Sequence, residues 1–118
     1  ARIGDYATIG NRARIGDSAT IGDGARIGDH ARIGNDAIIG DYATVYPNAT
    51  FVYDLGFCDD YRKCLVERDG VAYINAGCRD LTLKAALKHW SANPHRKMTV
   101  AVLQAATAIA DLKGLKHE

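Results

Sequence analysis

The sequence predicts a mainly β fold: a short parallel β-helix over residues 1–53, then a small α+β module over residues 54–118 made of a β-hairpin and two helices. Three observations carry that expectation. Alanine recurs every six residues from Ala1 to Ala49 without a break. A large apolar residue keeps step with it at Ile3, Ile9, Ile15, Ile21, Ile27, Ile33, Ile39, Val45 and Phe51. Glycine follows the first seven of these, from Gly4 to Gly40, and Asp or Asn comes next, as at Asp5, Asn11 and Asp17.

Each six-residue unit reads as a short strand and a turn. In Ala-Arg-Ile or Ala-Thr-Ile the first and third side chains share one face and the middle one takes the other. Ala and Ile are expected inward, Arg or Thr outward. Gly-Asp is expected to supply the corner, with backbone freedom from the glycine and local hydrogen bonding from the carboxylate. A helix is excluded, because a six-residue period with glycine in every unit fits no 3.6-residue pattern. An antiparallel sandwich is excluded because the units are too short for hairpins.

These units resemble the hexapeptide repeat of bacterial transferases and γ-class carbonic anhydrases: aliphatic, glycine, two variable, small, variable. The resemblance covers residues 1–53 and implies a left-handed parallel β-helix with three hexads to a triangular turn. Residues eighteen apart then stack. Ile3, Ile21 and Ile39 form one inner ladder, Ile9, Ile27 and Val45 a second, and Ile15, Ile33 and Phe51 a third. At roughly 4.8 Å per turn the prism is only about 14 Å tall. So thin a solenoid needs its ends covered by the rest of the chain or by other subunits. The family resemblance implies a homotrimer. The chain begins in phase with the repeat at Ala1, as removal of an initiator Met or loss of upstream repeats would leave it.

The repeat decays at Tyr46-Pro47. Tyr61–Glu67 and Val71–Asn75 then flank Arg68-Asp69-Gly70, a hairpin signal with glycine at the turn. Thr82 is an expected N-cap. Leu83, Ala86, Leu87 and Trp90 mark one face of a helix that ends at Asn93-Pro94. A second helix is expected over Met98–Leu112, closed near Gly114. Its polar stripe is narrow (Gln104, Thr107, Asp111), so it is expected to be buried on most sides, in a subunit interface. This half is similar to a module that follows hexapeptide-like repeats in phage and prophage proteins of unknown function. The residues that carry the likeness are Tyr61-Arg62-Lys63-Cys64, Gly70-Val71-Ala72-Tyr73, Gly77-Cys78-Arg79 and His89-Trp90.

Composition narrows function. The net charge of +1 argues against a nucleic-acid binder working through bulk charge. No apolar run is long enough to span a membrane, and no signal peptide is evident. The cysteines Cys58, Cys64 and Cys78 are odd in number and contain no CxxC, so reduced thiols in the cytoplasm of a bacterial host are expected rather than disulfides or zinc. The repeat offers one histidine, His30, at a corner between Arg12 and Asn48. A γ-class carbonic anhydrase site needs three histidines from two subunits, and one cannot supply a chain's share. The resemblance also implies an acyltransferase reading, in which His30 or His89 acts as general base on acetyl-CoA or another acyl donor. The large loops that build such pockets are absent, and His95 falls in the loop after Pro94. Ice binding would want a regular threonine grid, whereas the outer rows mix Arg with Thr.

The basic residues of the second half point elsewhere. Tyr61, Arg62, Lys63, Arg79 and Arg96, with Lys97, Tyr73 and Trp90 nearby, suit a phosphate-bearing, nucleotide-like ligand through bidentate bonds and stacking. Asp59 and Asp60 could instead neutralise them. The leading expectation is a non-enzymatic, oligomeric binding or scaffolding protein without a cofactor. It would take a small anionic ligand or a host protein at a subunit interface. A purely structural trimeric spacer is the other alternative.

Overall fold

The computed structural model describes residues 1–59, 61–76 and 79–118, and the side chains of Cys58 and Tyr61 fall outside that description. Eight two-residue strands occupy the hexads: β1 (Arg2–Ile3), β2 (Thr8–Ile9), β3 (Arg14–Ile15), β4 (Thr20–Ile21), β5 (Arg26–Ile27), β6 (Arg32–Ile33), β7 (Ile38–Ile39) and β8 (Thr44–Val45). They are followed by β9 (Thr50–Cys58), β10 (Tyr61–Arg68), β11 (Val71–Ala76), β12 (Arg79–Thr82), α1 (Leu83–Ser91) and α2 (Lys97–Leu112). The fold is therefore mainly β, with many short strands in parallel sheets and two helices.

Successive hexads pass through three sheets in rotation. β1, β4 and β7 form one, β2, β5 and β8 another, and β3, β6 and β9 begin the third. Arg2 pairs with Thr20 and Ile21 with Ile39, all in parallel register. The chain thus returns to the same sheet after eighteen residues. The alanines and aliphatics from Ala19 through Ala49 are buried in the middle of this coil, as alternation requires. Ile3 and Ile9, in the first of the described coils, are 48% and 38% exposed.

The corners correct one expectation. The glycine of the hexad does not supply the unusual backbone. The left-handed conformation falls two residues later, at Tyr6, Arg12, Ser18, Gly24, His30, Asp36, Tyr42 and Asn48, with φ between 60° and 67°. For a residue with a Cβ that conformation costs roughly 1 kcal/mol or more, which the stacked coils must offset. The glycine is needed for close approach instead. A Cβ on Gly4 would lie 2.5 Å from Asp23 Oδ1 and 2.6 Å from Asp23 N, and one on Gly22 would lie 2.5 Å from Asp41 N and Oδ1. Nor is the carboxylate's hydrogen bond local. Asp23 Oδ1 accepts from Asp5 N at 2.8 Å, Asp29 Oδ1 from Asn11 N at 2.7 Å, Asn35 Oδ1 from Asp17 N at 2.7 Å and Asp41 Oδ1 from Asp23 N at 2.8 Å. Each corner side chain reaches one whole coil away, across the space a glycine leaves open.

The third sheet does not stop with the coil. β9 leaves β6 and pairs antiparallel with β10, which pairs with β11, which pairs with β12, so one six-stranded sheet runs β12-β11-β10-β9-β6-β3. The β10–β11 hairpin closes through Asp69-Gly70, with φ of 54° and 79°, the geometry of a two-residue turn with both central residues left-handed. Both faces of this sheet are covered. Cys64 and Val66 belong to the core of the coil, and Tyr73 packs against it. Leu65, Ala72, Ile74 and Ala76 belong to a second core with Leu83, Ala86, Trp90, Leu103, Ala106 and Ala110 of the two helices. The sheet thereby covers one end of the coil and seats the helices on its far side. No described helix is long and apolar enough to cross a membrane.

Within this chain α2 buries one face only, through Thr99, Leu103, Ala106 and Ala110. Its other side is left uncovered by this chain: Met98 is 60% and Leu112 87% exposed. Its C-terminus closes as expected. Gly114 takes φ of 71°, Leu115 N donates to Ala110 O at 2.9 Å, and Gly114 N donates to Asp111 O at 3.1 Å.

The corner geometry separates two glycines that are alike in sequence. Around Gly34 the nearest atom to an added Cβ is Phe51 Cδ1 at 3.9 Å. Gly22→Ala is expected to lower stability by about 2–3 kcal/mol through overpacking. Gly34→Ala should leave stability unchanged or raise it by up to ~1 kcal/mol through the unfolded chain. Urea midpoints of the two variants check this.

Candidate functional site

The pocket-forming elements follow from local signals in the second half. Thr82 Oγ1 accepts from Ala85 N at 3.2 Å and starts α1. α1 turns Leu83, Ala86 and Trp90 inward and leaves His89 exposed in its last turn. The two rings meet edge to face, 4.9 Å between centroids at 82°. Asn93 N donates to Trp90 O at 3.0 Å, and Asn93 Oδ1 accepts from His95 N at 2.9 Å, so the chain turns tightly toward α2. β12 opens with Arg79 opposite Ala76. These pieces enclose a cavity of about 340 Å³ lined by Ala76, Arg79, His89, Trp90, Ala92, Asn93 and Arg96.

The cavity brings together two of the expected ligand-binding residues, Arg79 and Arg96, with His89 and Trp90. The Arg79 residue is exposed, and its side chain has no hydrogen bond or ion pair among the described residues. Arg96 is anchored: its guanidinium donates to the backbone oxygen of Asp59. The Asp59 carboxylate in turn accepts from Thr99 N at 2.9 Å and Thr99 Oγ1 at 2.7 Å. α2 has no side-chain cap of its own at Arg96. Asp59, from the end of β9, supplies that cap from forty residues away. The side-chain and backbone hydrogen bonds from Thr99 lower the Asp59 pKa against a desolvation that works to raise it, and Arg96 and Lys63 lower it further.

The other candidates lie elsewhere. Arg62 Nη1 donates to both oxygens of Asp54, at 3.0 and 2.8 Å, and Asp54 also accepts from Gly56 N. Lys63 is buried, with its charge felt by Asp59. The Tyr61 side chain, Asp60, and the Gly77-Cys78 part of the Gly77-Cys78-Arg79 motif fall outside the described residues. His30 stands on its corner beside Arg12, Arg14 and Arg32, around a surface groove of about 450 Å³. His95 lies in the loop before α2. Among the described residues no three His, Cys, Asp or Glu converge on a metal position. The Cys64 thiol is buried, and desolvation, with Asp54 and Asp80 adding to it, pushes its pKa up to about 12, which leaves it un-ionised at neutral pH.

A second polar cluster joins coil to module. The Arg68 guanidinium sits 4.0 Å from the centre of the Tyr73 ring and 4.9 Å from that of Tyr46, and pairs with Asp80 at 3.3 Å. Burial raises the Asp80 pKa, against the lowering by Arg68 and by a hydrogen bond from Asn75. Asn75, itself buried, also donates to Thr44 O of the coil. Nothing local in the sequence marks Asn75, Asp80 and Arg68 as a cluster, because their partners are distant in the chain and carry no motif.

Residues 1–35 match the family model described as bacterial transferase hexapeptide (six repeats). The match takes in under a third of the chain and supports the hexapeptide-repeat superfamily for that stretch. That family covers both transferases and structural proteins. No match was found among curated proteins or among solved structures.

Asp59 yields a pH prediction. Its pKa is lowered in the folded state, so its contribution to stability is present above the ordinary carboxylate value of about 3.9 and is lost as pH falls through the folded value. Asp59→Ala should melt below wild type at pH 7, and the gap should close as pH drops below about 4. Melting temperatures followed by circular dichroism across that range check it.

Proposed function

We propose that this chain is a non-enzymatic, oligomeric binding protein whose C-terminal module takes a small anionic, nucleotide-like ligand in the cavity between β12, α1 and the start of α2. The observation that carries this reading is the meeting of Arg79, Arg96, His89 and Trp90 around one cavity of about 340 Å³. Arg79 is the group to hold a phosphate, as a guanidinium does bidentately. Arg96 adds charge from a position fixed by Asp59. The exposed His89 ring, braced edge-on by Trp90, offers a surface for stacking. Asn93 uses its oxygen within its own loop, which leaves its amide hydrogens for a polar edge of the ligand. The volume is at the small end of the roughly 300–1,000 Å³ usual for ligand sites, which favours a mononucleotide over a dinucleotide.

The same reading takes residues 1–53 as a left-handed β-helix and residues 54–118 as the module it carries. Hexapeptide-repeat proteins often form trimers, and a three-fold assembly of this coil follows from that likeness. A phage or mobile-element setting in a bacterial cytoplasm rests on the likeness of the second half alone, and a host protein is the other partner such a setting would offer. Acyl transfer is the rival reading. The observation in its favour is the groove in which His30 stands beside three arginines, which could receive the phosphates of an acyl donor such as acetyl-CoA.

Calorimetry and native mass spectrometry with a panel of nucleoside phosphates separate these readings. A bound nucleotide, weakened about tenfold or more by Arg79→Ala and by added salt, is the expected outcome. Acetyl-CoA binding lost on His30→Ala would favour the enzyme. No adduct across either set would leave the structural spacer.

A further inference from the structure

We propose that the outer face of α2 is an antiparallel contact with α2 of a second copy of this chain. Met98, Ala101, Ala105, Ala108 and Leu112 are all exposed. Their spacing alternates three and four residues, the period of a coiled-coil seam, and it lies on the side of α2 away from Thr99, Leu103, Ala106 and Ala110. Alanine at its middle positions lets two backbones approach to the short end of the usual 8–10 Å helix separation.

The flank of the seam identifies the occupant. Lys97, Gln104 and Asp111 repeat at seven-residue intervals along one edge, and all three are exposed. In an antiparallel pair this edge faces its own copy running the other way. Lys97 then meets Asp111 of the second copy at both ends, and the two Gln104 amides meet at the centre. In a parallel pair the same edge would face Val102 and Ile109, which offer no charge.

The helix dipole points the same way. Lys97, at the first helical position, and Asp111, in the last turn, stand at the ends where their charges are unfavourable. α2 has no acidic residue in its first turn and no basic one in its last. An antiparallel copy brings a carboxylate to the N-terminal end and an ammonium to the C-terminal end. His117 Nε2 approaches Asp111 Oδ1 to 2.7 Å but outside hydrogen-bond geometry, and the Asp111 side chain remains 64% exposed. Lys97 directly follows Arg96, so the contact adjoins the ligand cavity without depending on any ligand. If the coil trimerises, the contact joins trimers in pairs.

Sedimentation equilibrium of the full chain tests this over a wide concentration range. Wild type should reach a dimer or an even multiple of the chain. Ala105→Glu, at an exposed position where glutamate suits a helix, should halve that mass with circular dichroism unchanged. Lys97→Asp or Asp111→Lys should each raise the dissociation constant about tenfold, because the change is felt twice per dimer. The double swap should return it to near the wild-type value. A strictly monomeric or odd-numbered assembly, a mass unmoved by Ala105→Glu, or a double swap no tighter than the single ones would overturn the proposal. Each readout is independent of nucleotide binding, so failure of the ligand reading leaves it standing.

Discussion

The interlock of a glycine with a carboxylate one coil away is the constraint on which the coil depends. The glycine leaves a gap too small for a Cβ, and the Asp or Asn of the next coil fills it and accepts an amide hydrogen bond across it. The two residue types therefore specify each other nineteen residues apart, which places each carboxylate eighteen residues from the amide it accepts from, and that eighteen-residue repeat sets which aliphatics stack. The interlock is lost at two of the three corners of the last coil. Below Asp29 the position is taken by Pro47, and below Asn35 by Tyr53, so neither corner carries the short carboxylate or amide side chain that makes that bond.

Where the interlock fails, a different device takes over. β9 carries the third face out of the coil and turns it into an antiparallel sheet that covers the coil's end. Because that sheet is buried on both sides, Cys64-Leu65-Val66 reads as a continuous apolar run, as a doubly covered strand should. The candidate site is a consequence of this layering. The sheet seats α1 and α2 on its far face, and the loop after β9 provides Asp59 to cap α2 and hold Arg96 at the cavity wall. The cavity wall and the helix cap thus share one short segment, so the stability of α2 and the shape of the cavity are coupled.

What was legible in the sequence was periodic or local. The hexads, the Asp69-Gly70 hairpin, the Thr82 cap and the Gly114 closure each depend on residues within a few positions of one another. The eighteen-residue stacking was legible through the family likeness, but the work of its glycines was not. Their neighbours are a coil away, so the conformational freedom inferred for them belongs to the sixth residue of each hexad instead. In the candidate site, Arg79, Arg96 and His89 were identifiable by chemical type, but not their meeting. That comes from sheet pairing of β12 and the turn at Asn93. Arg62 was equally conspicuous in sequence, yet Asp54 across the β9–β10 pair occupies it. The Asp59 cap spans forty residues and leaves no local pattern to read.

Corner carboxylates that lock each coil to the one before it should protect the amides they accept from, and amide hydrogen exchange read residue by residue measures that protection. Asp23 and Asp41 both follow a glycine at the same corner. Asp23 N donates to Asp41 Oδ1 at 2.8 Å, whereas Asp41 N has no acceptor among the described residues. Slow exchange at Asp23 and fast exchange at Asp41 are expected. Equal rates at the two amides would contradict the lock.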